Sequence, residues 1–180
     1  MKKHIELALR FYVCFKISIY AVGKMAGGQF YAKGKLPAQV ASQTIPDLSG
    51  FELAWTFFGY SYEYVLFIGV SQLVGGLLLL WDKTKLIGVA VLVPILLNII
   101  VVDIFFQISA GALLSAIFYF VCLMIILFLN HEKIIAVVQA LLAGTPTSTF
   151  STQKLVINTL ITAIAIVALY NMELFLMKML

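Results

Sequence analysis

Two apolar runs joined by a clipped polar turn limit what this chain can fold into. Tyr62 to Trp81 and Thr84 to Phe106 are each about 20 residues long, enough to cross a hydrocarbon core of roughly 30 Å as a helix. The turn between them, Asp82-Lys83, is so short that the two helices must lie antiparallel and side by side. Within this hairpin sit Glu63, Gln72, Pro94, Asn98 and Asp103. Polar side chains in hydrocarbon are costly, so these are the residues whose presence asks for a reason.

Composition extends the argument to the whole chain. Of its 180 residues, 63% are hydrophobic and only 11% charged, against about 25% charged in soluble domains. Too little polar surface exists to cover a globule in water, so one membrane domain over 1–180 is expected. The net charge of +4 is scattered, with lysines mostly at run ends, where they anchor helices. No dense basic patch suits nucleic acid. Cys14 and Cys122 stand in separate apolar runs without a CxxC partner, which reads as packing rather than thiol chemistry. His4 and His131 lie near run ends without ligands at metal spacing, so no metal site is expected.

Five spans are predicted, at about 5–25, 62–81, 84–106, 108–129 and 155–176. The first follows Lys2 and Lys3 like a signal peptide. Arg10, Lys16 and Lys24 interrupt it, however, and no clean small-residue cleavage site follows, so it reads as a retained helix. Lys16, Tyr20 and Lys24 recur at i, i+4, i+8 and form one stripe. That stripe either faces the bundle with its lysines snorkelling or binds an anion or acidic partner. Residues 26–61 form a long connection. Gly27-Gly28 breaks the first helix, and Ile45-Pro46-Asp47 makes a turn. About 48–58 reads as a short interfacial or re-entrant helix with Glu52 and Trp55, too short to span.

In the second run, Gly69, Gln72 and Gly76 share a face suited to close helix contact, with Glu63 roughly opposite Gln72. In the third, Pro94 frees the carbonyl of Ala90 and predicts a kink. Asn98 and Asp103 point in different directions, while Asp103 and Gln107 can share a face. After the fourth run, 134–143 reads as a short interfacial segment. Gly144-Thr145-Pro146-Thr147-Ser148 reads as a linker to the fifth helix.

Charge then sets direction. With the N-terminus inside, seven Lys or Arg residues face inward (Lys2, Lys3, Arg10, Lys83, Lys85, Lys133, Lys154) and four outward, as the positive-inside rule prefers. A bacterial-type cytoplasmic membrane is the expected site. The long loop, Lys24, Glu52, Glu63, Asp103 and Gln107 then gather at the outer end. Two readings stay open there. In one, Lys24 is spoken for by a structural ion pair with Glu63 or Asp103. Alternatively the group, with Trp55 and Asn98, lines a ligand pocket open to the outer face, above the mid-membrane polar residues Lys16, Tyr20 and Gln72.

The stretch Gly69-Val-Ser-Gln72-Leu-Val-Gly75-Gly76-Leu-Leu-Leu-Leu80, followed by Thr84-Lys85, resembles the central signature of the DoxX-like membrane proteins, and Gly23-Lys24 resembles the end of their first helix. The resemblance covers about the first 130 residues. It implies an all-α, polytopic bundle: a four-helix DoxX-like core with a fifth, C-terminal transmembrane helix added. Gln72 stands where that family carries an acidic residue and Lys85 where it carries arginine, and an amide cannot relay a proton as a carboxylate does. Three functions follow. One is a non-enzymatic bundle holding a lipid-like molecule or a membrane partner. Another, which the resemblance favours, is an accessory subunit of a quinone-linked redox system of thiosulfate or terminal oxidase type, with quinone as its cofactor and electrons supplied by a membrane partner. The last is a small transporter or assembly factor. No haem-ligand, iron–sulfur or flavin motif argues for catalysis by this chain alone.

Overall fold

The computed structural model describes residues 2–143 and 152–179. Among them are eight helices and no strand: α1 Lys2–Met25, α2 Ala38–Ala41, α3 Gly50–Gly59, α4 Tyr62–Leu78, α5 Lys85–Phe105, α6 Ala110–Leu129, α7 His131–Leu142 and α8 Thr152–Met179. The chain divides into two compact units, Met1–Ile135 and Ala136–Leu180. The linker read at 144–148 lies outside the described residues.

In the first unit α1, α4, α5 and α6 form a ring in which each packs on two neighbours: α1 on α4, α4 on α5, α5 on α6, and α6 back on α1. Their shared interior is apolar, with Val13, Ile17, Leu79, Leu92, Leu96 and Leu123 fully buried. Cys14 and Cys122 are buried free thiols, the second within this core. Glycine sets the spacing of two contacts. A Cβ at Gly88 of α5 would stand 2.7 Å from the Gly75 carbonyl oxygen of α4, so the two backbones touch. Gly69 faces Met25 and Ala21, and Gly76 faces Cys14, so the Gly69–Gln72–Gly76 face packs on α1.

Three helical segments are long and apolar enough to cross a membrane: Lys85–Phe105, Ala110–Leu129 and Lys154–Met177. The pair α3 and α4, bent by 92° at its junction, makes a fourth if taken as one span. At 24 residues α1 is long enough. Its charges keep it from that group by composition, and two of them, Arg10 and Lys24, are buried instead.

The boundaries move by a few residues for identifiable reasons. Where a two-residue turn is expected at Asp82-Lys83, α4 ends at Leu78 and residues 79–84 form the connection. The carbonyls freed there are taken by side chains: Thr84 Oγ1 donates to Leu78 O at 2.8 Å, and Arg10 donates to Leu79 O and Leu80 O. The fourth run starts at Ala110 rather than 108, because Gln107 takes a positive φ of 52°. Helix α5 runs through Pro94 as one element.

The long connection carries α2 and a 3-10 turn at Ile45–Asp47 before α3. Ser49 and Glu52 start α3 with a capping box: the Ser49 hydroxyl accepts from the Glu52 N–H, and the Glu52 carboxylate accepts from the Ser49 N–H at 2.9 Å. Gly59 ends it against the chain, where a Cβ would stand 2.0 Å from the Tyr31 carbonyl oxygen. The Tyr31 N–H donates to Trp55 O at 3.2 Å, which ties the loop to α3.

In the second unit α8 has apolar residues around its whole circumference rather than along one stripe, a pattern that suits a membrane span. Its polar side chains bond to their own turn: Thr159 Oγ1 donates to Leu155 O at 2.9 Å and Asn171 Nδ2 to Val167 O at 2.7 Å.

Candidate functional site

Polar groups inside the first unit gather at its two ends, and the two gatherings differ. At one end Arg10 is 3% exposed. Its guanidinium donates to Asp82 Oδ1 at 2.6 Å, to Leu80 O at 2.6 Å and to Leu79 O, while Lys85 pairs with Glu6. The planar fork of arginine is suited to holding several acceptors at once. The Arg10 hydrogen bond and charge hold the Asp82 carboxyl below the usual carboxylate range. Sequence reading treated Arg10 as an interruption of an apolar run. The nearest sequence signal for this lock is the charged Asp-Lys-Thr-Lys turn, Asp82 to Lys85, on the side where charge counting already places Arg10.

At the other end a chamber of about 380 Å³ lies between α4 and α5 beneath α3. Its roof is aromatic. Trp55 stacks on Phe51 with ring centres 4.3 Å apart, and Phe30 meets Trp55 edge-on at 5.4 Å. Phe67, Pro94 and Asn98 line the chamber and are also exposed on the flank of the bundle, so it opens sideways between α4 and α5. Behind it a second chamber of about 70 Å³ is lined in part by Tyr20, Gln72, Ser115 and Tyr119. Lys24, Gln29, Trp55, Ile99 and Asp103 belong to the walls of both.

Two buried ionisable groups mark this shared wall. Lys24 is 5% exposed, and its Nζ donates to Gln72 Oε1 at 3.0 Å. Asp103 is 8% exposed. Among the described residues, its Oδ2 and Thr56 Oγ1 are the buried side-chain oxygens without a hydrogen-bond partner. Buried polar atoms are nearly always paired, so a bare carboxylate oxygen is a reactive or ligand-facing feature before it is a packing one.

Of the residues picked out by sequence, Lys24, Trp55, Asn98 and Asp103 come together on the large chamber, and Tyr20 and Gln72 join Lys24 on the small one. Four stand elsewhere. Glu52 is turned to its capping box with Ser49. Glu63 is exposed at the start of α4, where it accepts from the Ser61 hydroxyl at 2.8 Å. Gln107 is exposed in the left-handed turn before α6. Lys16 is half-buried on α1 and lines neither chamber. Lys24 meets the amide of Gln72 rather than Glu63, and the ion pairs among the described residues all lie at the Arg10 end. Sequence reading missed Gln29, Phe30, Tyr64, Ser115 and Tyr119. They line the chambers from three separate segments, which no local spacing connects. The described residues hold no group of three or more His, Cys, Asp or Glu placed to bind a metal ion.

An all-helical protein with several helices long and apolar enough to cross a membrane, and a chamber under an aromatic roof, is the class these observations define. The chain is 32% identical over 137 residues to the uncharacterized protein YwoB of Bacillus subtilis (strain 168), a match covering 76% of this chain and 84% of that protein. It belongs to the family of that protein. No family model matches it, and no solved structure does.

Proposed function

We propose that this protein is a DoxX-like membrane bundle that holds a small hydrophobic molecule in the chamber under α3. The observation that carries this is the joining of an aromatic, mostly apolar chamber of about 380 Å³ to the buried pair Lys24 and Asp103. Ligand pockets are typically roughly 300–1,000 Å³, apolar, with a few converging polar groups that fix orientation. The ring of α1, α4, α5 and α6, the Gly75–Gly88 contact and the Thr84-Lys85 turn support the DoxX-like reading. The lysine and arginine distribution supports an N-terminus on the inner side of a bacterial-type cytoplasmic membrane, with the chamber toward the outer face.

Holding needs no catalysis by this chain. A second reading draws on the stacked roof: a flat ring slides under Trp55 and Phe58 while a ring oxygen accepts from Lys24, which suits a quinone passed to a membrane redox partner. Native mass spectrometry of gently purified protein, with organic extraction alongside, tests both. A retained lipid-like molecule is expected. A retained quinone moves the weight to the redox reading, and protein that stays empty in lipid-rich preparations overturns the holding function.

A further inference from the structure

Charge decides which head groups the chamber accepts. Across the walls of both chambers there are two formally charged side chains, Lys24 and Asp103, and they are of opposite sign. Lys24 gives one N–H to Gln72 and keeps two to donate. Asp103 Oδ2 has no donor among the described residues. The wall therefore offers surplus donors beside a surplus acceptor, with a net charge of zero.

Resting on the ligand-holding reading, we infer that the ligand is a net-neutral amphiphile whose head carries both an acceptor for Lys24 and a hydrogen-bond donor for Asp103, as a lipid alcohol does. A carboxylate head satisfies Lys24 but faces Asp103 with like charge at low dielectric. An ester head accepts from Lys24 but leaves Asp103 bare, which is the penalised state for a buried charged acceptor. A hydroxyl does both with a single oxygen and suits the small chamber of about 70 Å³. The tail takes the larger chamber and enters from the bilayer through the sideways opening past Phe67 and Pro94.

One chain length with three heads makes the test: 9,10-dibromooctadecanol, methyl 9,10-dibromooctadecanoate and 9,10-dibromooctadecanoate. Bromine quenches tryptophan at short range. Trp55 lines both chambers, and Trp81, exposed and outside both linings, is silenced as Trp81→Phe. The alcohol is expected to quench Trp55 at about tenfold lower concentration than the ester, the worth of one hydrogen bond to a charged acceptor. The carboxylate should trail the alcohol by a similar factor. In Asp103→Asn the like charge is gone, so the carboxylate should overtake the alcohol; a variant that had merely unfolded would lose all three. If the carboxylate binds the wild-type protein as tightly as the alcohol does, the neutral-head inference is overturned while the holding function stands. Should none of the probes quench Trp55, the holding function itself fails.

Discussion

The two ends of the bundle bury cations by opposite means. Arg10 is locked by three acceptors, two of them backbone carbonyls that the end of α4 would otherwise leave bare. Lys24 is held by one amide, and the Oδ2 of nearby Asp103 has no hydrogen-bond partner among the described residues. Both charges come from the same helix, so the helix does not explain the difference. Its cause is what the partner offers. The α4 end brings a full set of acceptors to Arg10, whereas the far end is roofed by a loop and leaves space. A buried charge locked to backbone carbonyls and a carboxylate serves the fold, and one beside a cavity and an unpartnered carboxylate oxygen is available to a ligand.

The contrast breaks most sharply at Arg10. Arg10→Ala strips two carbonyls and Asp82 of their donor and is expected to lower unfolding stability by about 3 kcal/mol, read by denaturant titration in detergent. Arg10→Lys should recover little, since an ammonium cannot match the fork. Next comes the α4–α5 contact. Gly88→Ala pushes a methyl to 2.7 Å from the Gly75 carbonyl, an obstacle of backbone with no give, and should cost about 2 kcal/mol. Gly69→Ala meets the flexible end of Met25 instead and should cost less than half as much, which thermal melts of the two variants will show.

A smaller stability change sharpens the comparison from the other side. Lys24→Met should lower stability by about 1 kcal/mol, one hydrogen bond's worth, yet empty the chamber of ligand in native mass spectra. The same loss of ligand from Arg10→Ala at equal folded fraction would erase the distinction between the ends. Smallest of all is the response to acid. Asp82 is held below its ordinary range in the folded state, so its contribution is complete above the unfolded value of about 4 and fades as pH falls through the depressed value. Carboxyl NMR titration should place Asp82 low in the wild-type protein and return it to the ordinary range in Arg10→Ala.

Much of this was legible in the chain. Runs of hydrophobicity located the long helices to within a few residues. The residues Lys24, Gln72, Asn98 and Asp103 declared themselves as polar groups in apolar surroundings. Illegible were pairings made across long separations. Nothing local says that Lys24 prefers the amide of Gln72 to the carboxylate of Glu63. The outcome depends on helix rotation, which puts Gln72 on the α1 face with Gly69 and Gly76 and turns Glu63 outward to Ser61. Glu52 looked like a site carboxylate because charge counting gathers it with Lys24, Glu63 and Asp103 at the outer end. Its position three after Ser49 is the stronger local rule, and the cap claimed it. The lock on Arg10 was hidden for a related reason: two of its three acceptors are carbonyls, which a sequence does not display, and the third lies 72 residues away.

The first helix also bears on how the protein is made. Alone, α1 offers Arg10 its own Glu6 at 3.7 Å and nothing more, and the hydrogen-bond partner of Lys24 lies on α4. Their partners are synthesised 69 to 72 residues later for Arg10 and 48 later for Lys24. The docking of α1 is therefore a joint event with a hairpin not yet translated, and a chain cut before Leu79 would hold a whole first helix without the acceptors that fix Arg10.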